Sequence, residues 1–297
     1  MHFIKMILLL SLTPIVAQHQ IEVQSLVNNF LGNGALTIAA DGTIIVNEYG
    51  TANADISGSG TRIFSVRPNG EYDVLLNNVS GAIGGTFDTN GTFYFNNGSS
   101  YSGSDLMQLK DGNLKKIATL PGFAADLIVV RSSGNLLVTN YTMPALYQVD
   151  PQGKVSEFIN DDRLKGCTGI TYSEDETIFV SNFSTGKIYK IDKNSMVEFA
   201  SVPVQYPGYV VGYITYFEMN IYATGYGASK LYQINMKGEV AVLAGSGNRQ
   251  DVDGDAKNSS FFVPNGIEID TKKRRLYISQ NGNGQPKSLR YIDLPKP

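Results

Sequence analysis

Residues 166–192, GCTGITYSEDETIFVSNFSTGKIYKID, constrain the chain most. Three short β-branched and aromatic runs are separated by polar turns at 173–176 and 182–186, and 196–200 adds a fourth run that alternates apolar and polar residues. Such runs read as strands joined by hairpins. Four antiparallel strands in under fifty residues leave both sheet faces unburied, so the unit needs copies of itself. The copies are present. The last apolar residue of the third strand recurs as Val66, Leu109, Val149, Ile191, Ile234 and Ile292, at steps of 40 to 43 residues and then 58. The second strand gives an independent series: Val46, Phe95, Val138, Val180, Ala223 and Ile278. Six copies with four strands each specify an all-β protein, a six-bladed β-propeller whose blades pack radially.

The strand count also predicts how the ring closes. Copies one to five carry a fourth strand, at 72–76, 114–118, 155–159, 196–200 and 240–243, whereas the sixth runs out at Pro297. The alternating segment 20–26 stands spare before the first blade. It is expected to pair with 287–293 and complete the last blade.

The domain boundaries follow. Residues 1–17 combine His2 and Lys5, an apolar run over 6–12, Pro14 and a small residue at Ala17, the pattern of a cleaved secretory signal peptide. Residues 18–297 form the propeller, and the chain is expected to be secreted or periplasmic, without a transmembrane segment, and monomeric. Cys167 is the one cysteine, so the fold has no internal disulfide; its place at a strand entry marks it as a structural thiol. The net charge of −3 argues against a nucleic-acid partner, and the basic tetrad 272–275 reads as a solvated hairpin tip. The two histidines, His2 and His19, lie outside the repeats, which excludes Ser-His-Asp or Cys-His catalysis and a histidine metal site within the blades. Any chemistry must use Asp, Glu, Asn, Tyr or Lys, or a hard cation held by oxygens.

One end of the ring is patterned. Three residues after the second-strand marks stand Tyr49, Gly98, Tyr141, Phe183, Tyr226 and Asn281; two residues after them stand Glu48, Asn97, Asn140, Asn182, Gly225 and Gln280. Aromatic faces interleaved with amides and an acid suit a sugar, a peptide or an amphipathic small molecule. The same amides equally suit turns, where they satisfy local backbone groups. The glycine-rich stretches 50–60 and 98–103 read as longer loops over this mouth, and Tyr206, Tyr209 and Tyr213 add aromatic surface nearby.

The stretch Val242-Leu243-Ala244-Gly245-Ser246-Gly247, Asp253-Gly254, 261–267 (FFVPNGI) and 275–279 (RLYIS) resembles an NHL repeat. The whole chain is similar to the wider set of six-bladed propellers that includes gluconolactonase-like hydrolases, paraoxonases and strictosidine synthase-like proteins. In its hydrolase branch, the resemblance implies a divalent cation, calcium above all, held by Glu, Asn and Asp at the starts of the innermost strands. The corresponding positions are Gly34, Ile83, Asp126, Thr168, Val211 and Asn265. Only Asp126 and Asn265 suit a metal, and calcium prefers six to eight oxygens. The acidic run 251–255 lacks the Glu that a calcium loop needs at its twelfth position, occupied by Phe262, and reads as a long turn.

Two functions follow. The first is a secreted, non-catalytic NHL-like binding module, needing no cofactor, whose ligand (a small molecule, glycan or extracellular protein) contacts Glu48, Tyr49, Asn97, Asn140, Tyr141, Asn182, Phe183 and Tyr226. The alternative is a divalent-metal-dependent lactonase or esterase, with Asp126 and Asn265 as ligands and Glu48 as the base.

Overall fold

A computed structural model describes residues 21–192 and 195–296; the expected leader, 1–17, lies outside the described residues. Blade 1 comprises Leu36–Ile38, Ile44–Asn47, Arg62–Val66 and Tyr72–Asn77. Blade 2 comprises Gly85–Phe87, Phe93–Ser100, Gly103–Lys110 and Asn113–Leu120. Blade 3 runs Ala124–Val129, Leu136–Asn140, Ala145–Val149 and Val155–Asn160. Blade 4 runs Cys167–Tyr172, Ile178–Asn182, Lys187–Asp192 and Ser195–Ser201. Blade 5 runs Ile214–Phe217, Asn220–Gly225, Lys230–Asn235 and Val240–Ala244. Blade 6 takes Pro264–Asp270, Arg275–Gln280 and Lys287–Asp293, and the N-terminal strand Glu22–Phe30 supplies its fourth strand.

The closure expected from the strand count is present. Val23 pairs with Ile292, Ser25 with Arg290 and Phe30 with Lys287. A fifth, two-residue strand, Gly254–Asp255, pairs outside the N-terminal strand. The acidic run is a clasp. The fully buried Arg290 side chain meets Asp251 Oδ1 at 2.7 Å and Asp253 Oδ1 at 2.6 Å, and Asp253 also accepts the Ser25 backbone N–H. Asp255 accepts local backbone N–H groups of Lys257 and Asn258. Asp251 and Asp253 thus share Arg290, and Asp255 serves its own turn.

The core lies between blades, as a ring of repeats requires. All six second-strand marks are fully buried. One cluster joins blades 1 and 2 through Ile45, Ile63, Phe93 and Phe95; another joins blades 4 and 5 through Phe179, Ile188, Ile214 and Ile234. Fourth strands carry the exposed positions, Tyr72, Leu114, Val197 and Val242 among them. Burying one such aliphatic or aromatic side chain is worth ~1.5–3 kcal/mol, so blade-to-blade contacts rather than single sheets hold the ring.

Two local expectations change. Residues 98–103 do not form a loop over the mouth: strands two and three of blade 2 extend to Ser100 and from Gly103, making a tight hairpin. Residues 50–60 do form a loop, stitched by an Ala52–Gly58 bridge and by Tyr49 Oη donating to Ile56 O at 2.6 Å.

Candidate functional site

The channel is organised by a ring of small polar residues one position after each second-strand mark: Asn47, Asn96, Thr139, Ser181, Thr224 and Ser279. Four are hydroxyls that bridge to the next blade. Thr139 Oγ1 donates to Thr168 O at 2.5 Å, Ser181 Oγ to Gly212 O at 3.3 Å, Thr224 Oγ1 to Asn265 O at 2.6 Å and Ser279 Oγ to Gly34 O at 2.6 Å. Each hydroxyl also accepts a backbone N–H from its own blade: Asp126, Gly169, Tyr213 and Gly266 respectively. Gly212 fits this pattern because a Cβ there would stand 2.6 Å from both Asn265 O and Thr224 Oγ1. Sequence reading passed over this series, although its spacing equals that of the marks.

The hydroxyl bridges fix the true register of the innermost strands. Equivalent positions are Gly34, Ala125, Thr168, Gly212 and Asn265. The sequence alignment had Asp126 and Val211, each one residue off. The cause is hairpin length: the second-strand mark pairs 11 residues back in blade 3 (Leu127 with Val138), 10 in blade 4 (Ile170 with Val180) and 9 in blade 5 (Ile214 with Ala223), so a constant count misses by one in blades 3 and 5. A one-residue slip turns a side chain to the opposite side. Asp126 accordingly does not stand level with Asn265.

Two cavities in the channel show the consequence. The upper one, of about 370 Å³, is lined by Tyr49, Phe123, Tyr141, Thr168, Phe183, Tyr209, Tyr213, Tyr226, Asn265 and Asn281, with Thr51, Ala52 and Ile56 from the blade 1 loop. The lower one, of about 200 Å³, is lined by Asp126, Glu268, Thr86, Thr171, Thr215 and Arg131. Tyr213 borders both, its hydroxyl 3.5 Å from Ala125 O. Asn265 therefore faces the upper cavity and Asp126 the lower. Asn265 Nδ2 is committed to Asn33 O at 2.6 Å. Asp126 Oδ2 accepts the Ile170 N–H at 3.3 Å, and burial pushes its pKa well above the usual carboxylate value. Burial likewise pushes Glu268 up to about 6, against backbone and Thr215 hydrogen bonds that favour the anion. No group of three or more His, Cys, Asp or Glu side chains arranged to hold a metal exists among the described residues.

Glu48 does not reach the upper cavity. Its carboxylate accepts from Arg62 Nη2 at 2.8 Å, Arg62 Nε at 3.0 Å and the Thr61 N–H at 3.2 Å, which locks it into blade 1. The amides behave as turn organisers. Asn140 Oδ1 accepts from the Thr142 and Met143 N–H groups while Nδ2 donates to Pro121 O. Asn182 does the same with Ser184, Thr185 and Lys165, and Asn97 Oδ1 takes the Ser80 N–H. Cys167 is buried, and desolvation pushes its thiol pKa up, which suits packing rather than nucleophilic attack.

The aromatics converge. Tyr49, Phe123, Tyr141, Phe183 and Tyr226 form a continuous arc of edge-to-face pairs with centroids 6.2, 6.1, 6.1 and 5.0 Å apart, and Tyr209 packs on both Phe183 and Tyr226. Phe123 fills the gap left where blade 2 has Gly98 instead of an aromatic. It comes from the entry to blade 3, so the repeat position did not reveal it. Asn281 Nδ2 donates to Tyr226 Oη at 2.6 Å and continues the wall into blade 6.

Fold and site together define a six-bladed propeller with an aromatic cup at one mouth of its channel. The fold is shared with solved structures. An auxiliary nutrient binding protein from Bacteroides ovatus superposes with a TM-score of 0.74 at 17% identity, over 94% of this chain and 78% of that one. A gluconolactonase from Xanthomonas campestris gives 0.66 at 16% identity, over 92% and 89%. A virginiamycin B lyase from Staphylococcus aureus gives 0.63 at 16%, over 93% and 99%. At such identities the likeness concerns the fold. No protein-family model and no curated protein matches the sequence.

Proposed function

We propose that this protein is a non-catalytic, NHL-like binding propeller that captures a small ligand outside the cytoplasm. The observation that carries the reading is the composition of the upper cavity: six aromatic rings in contact, and no Asp, Glu, Lys, Arg or His among the residues that line it. Hydrolysis of a lactone or ester needs a base, a nucleophile or a metal-bound water at the substrate. Glu48 is held by Arg62, and Asp126 lies on the far side of Tyr213. The residues of the seat are Tyr49, Tyr141, Phe183 and Tyr226, with Phe123, Tyr209, Asn265 and Asn281. The leader expected at 1–17 accords with export, and two Bacteroides proteins named auxiliary nutrient binding proteins, which share this fold, accord with binding. No helix among the described residues is long and apolar enough to cross a membrane.

The competing reading, a calcium-dependent lactonase or esterase, draws on gluconolactonases of the same fold. The test is hydrolysis of δ-gluconolactone and of an aryl ester with excess calcium. The binding reading expects no rate above the uncatalysed one. Turnover that disappears in Asp126→Asn would overturn it.

A further inference from the structure

The cup is uncharged throughout, and the polar groups that matter in it are phenols and one amide carbonyl. Tyr141 and Tyr209 have hydroxyls with no hydrogen-bond partner among the described residues. Tyr226 Oη accepts from Asn281, so its own proton is free to be donated into the cavity. Asn265 spends its amide nitrogen on Asn33 O, leaving its carbonyl oxygen without a donor. The set is thus two free phenols, one phenol with a proton to give and one carbonyl acceptor, spaced between ring faces. Burial pushes the Tyr49 pKa up to about 12 and Tyr213 well above its ordinary value, so these two phenols stay neutral through the physiological range.

An ionic ligand would lose its hydration here with no opposite charge to meet it. A purely hydrocarbon ligand would leave the Asn265 carbonyl and the phenols desolvated and unpaired. The complementary ligand has apolar C–H faces to lie on aromatic rings and a rim of uncharged hydroxyls to exchange hydrogen bonds with phenols and amides. The volume, about 370 Å³, sits at the small end of the ~300–1,000 Å³ range of ligand pockets and admits one or two rings.

From this chemistry we infer that the aromatic cup seats the terminal one or two residues of a neutral saccharide. The inference rests on the binding reading above and narrows it to a ligand class. Tyr209, 59% exposed at the rim, is the ring against which an entering saccharide first stacks, and Tyr141 and Phe183 form the wall behind it.

The experiment uses the full chain, untagged. Neutral gluco-, manno-, galacto- and xylo-oligosaccharides are titrated beside glucuronate and galacturonate oligomers and tetramethylammonium chloride, by calorimetry. The expected result is saturable binding of a neutral oligosaccharide, with the matching uronate about a hundredfold weaker. Tyr209→Ala, at an exposed position that leaves the fold intact, should weaken the neutral sugar about tenfold, and Phe183→Leu should do at least as much. Uronate or tetramethylammonium bound as tightly as the neutral sugar, and weakened by the same two substitutions, would overturn the ligand class while leaving the cup as a binding site. No neutral sugar binding at all also overturns the inference. Sugar binding unchanged in both variants would place the site elsewhere.

Discussion

The lower cavity makes a quantitative prediction about Glu268. Its carboxyl, half-buried against the lower cavity, is pushed from about 4.5 to about 6, chiefly by desolvation. Asp126, on the same cavity, is raised in the same direction, with Glu268 adding to the burial effect. A pKa higher in the folded than in the unfolded chain means that the native state prefers the protonated form. The corresponding stability is fully present below pH 4.5 and is lost as pH rises through 6. A displacement of roughly 1.5 units is worth at most about 2 kcal/mol. Glu268→Gln keeps the acceptor oxygen that Thr215 Oγ1 (2.7 Å) and the Ile269 N–H (2.8 Å) now use, and removes the charge. The variant should be about 2 kcal/mol more stable than the parent at pH 7.5 and indistinguishable from it at pH 4.5. Urea unfolding at the two pH values measures this. An equal loss of stability at both would refute the reasoning, because it would make Glu268 a hydrogen-bonding residue rather than a desolvated, uncompensated charge.

Three further outcomes follow from the channel and the clasp. Thr139→Val removes the hydroxyl joining the Asp126 N–H to Thr168 O and should cost ~1–3 kcal/mol by urea unfolding; a change below about 0.5 kcal/mol would show that the hydroxyl ring is incidental. Asn96 occupies the same position in blade 2, fully buried, with neither side-chain amide atom partnered among the described residues; Asn96→Ser should raise stability by ~1 kcal/mol, and a fall would show that the amide is satisfied by water. Arg290→Met leaves Asp251 and Asp253 facing each other without their cation and should cost ~3–5 kcal/mol, with faster proteolysis of the N-terminal strand; unchanged proteolysis would mean that the clasp does not hold that strand.

The fold was legible because the ring repeats its apolar marks, and those marks are the residues that blade packing buries: Val46, Val138, Val180 and Ile278 are all inaccessible. Even the closure could be read, since the missing fourth strand of blade 6 and the spare segment before blade 1 are complementary. The site was legible in part. Tyr49, Tyr141, Phe183 and Tyr226 recur at one repeat position and meet in one arc. Glu48 and the three Asn residues share the neighbouring position, but backbone groups within 2.7–3.2 Å, and Arg62 for Glu48, claim their polar atoms. Local turn satisfaction outcompeted ligand contact there. The inner-strand positions expected at Asp126 and Val211 were each one residue off for a different reason. The first hairpin is one residue longer in blade 3 and one shorter in blade 5 than in blade 4, and a constant count back from the second strand does not register that. Thr139, Ser181, Thr224 and Ser279, which accept the inner-strand N–H groups, carry the signal that corrects it.

Centrally, the channel holds an aromatic cup at one mouth and no cation centre at Asp126 below it. The most direct measurement is the thermal unfolding midpoint of the chelated protein with and without millimolar calcium. A native-state site filled at a thousandfold excess over its Kd adds ~4 kcal/mol and would raise the midpoint by roughly 8 °C or more. No calcium-dependent rise is expected, in the parent or in Asp126→Ala. A rise of that size in the parent, absent in Asp126→Ala, would contradict it.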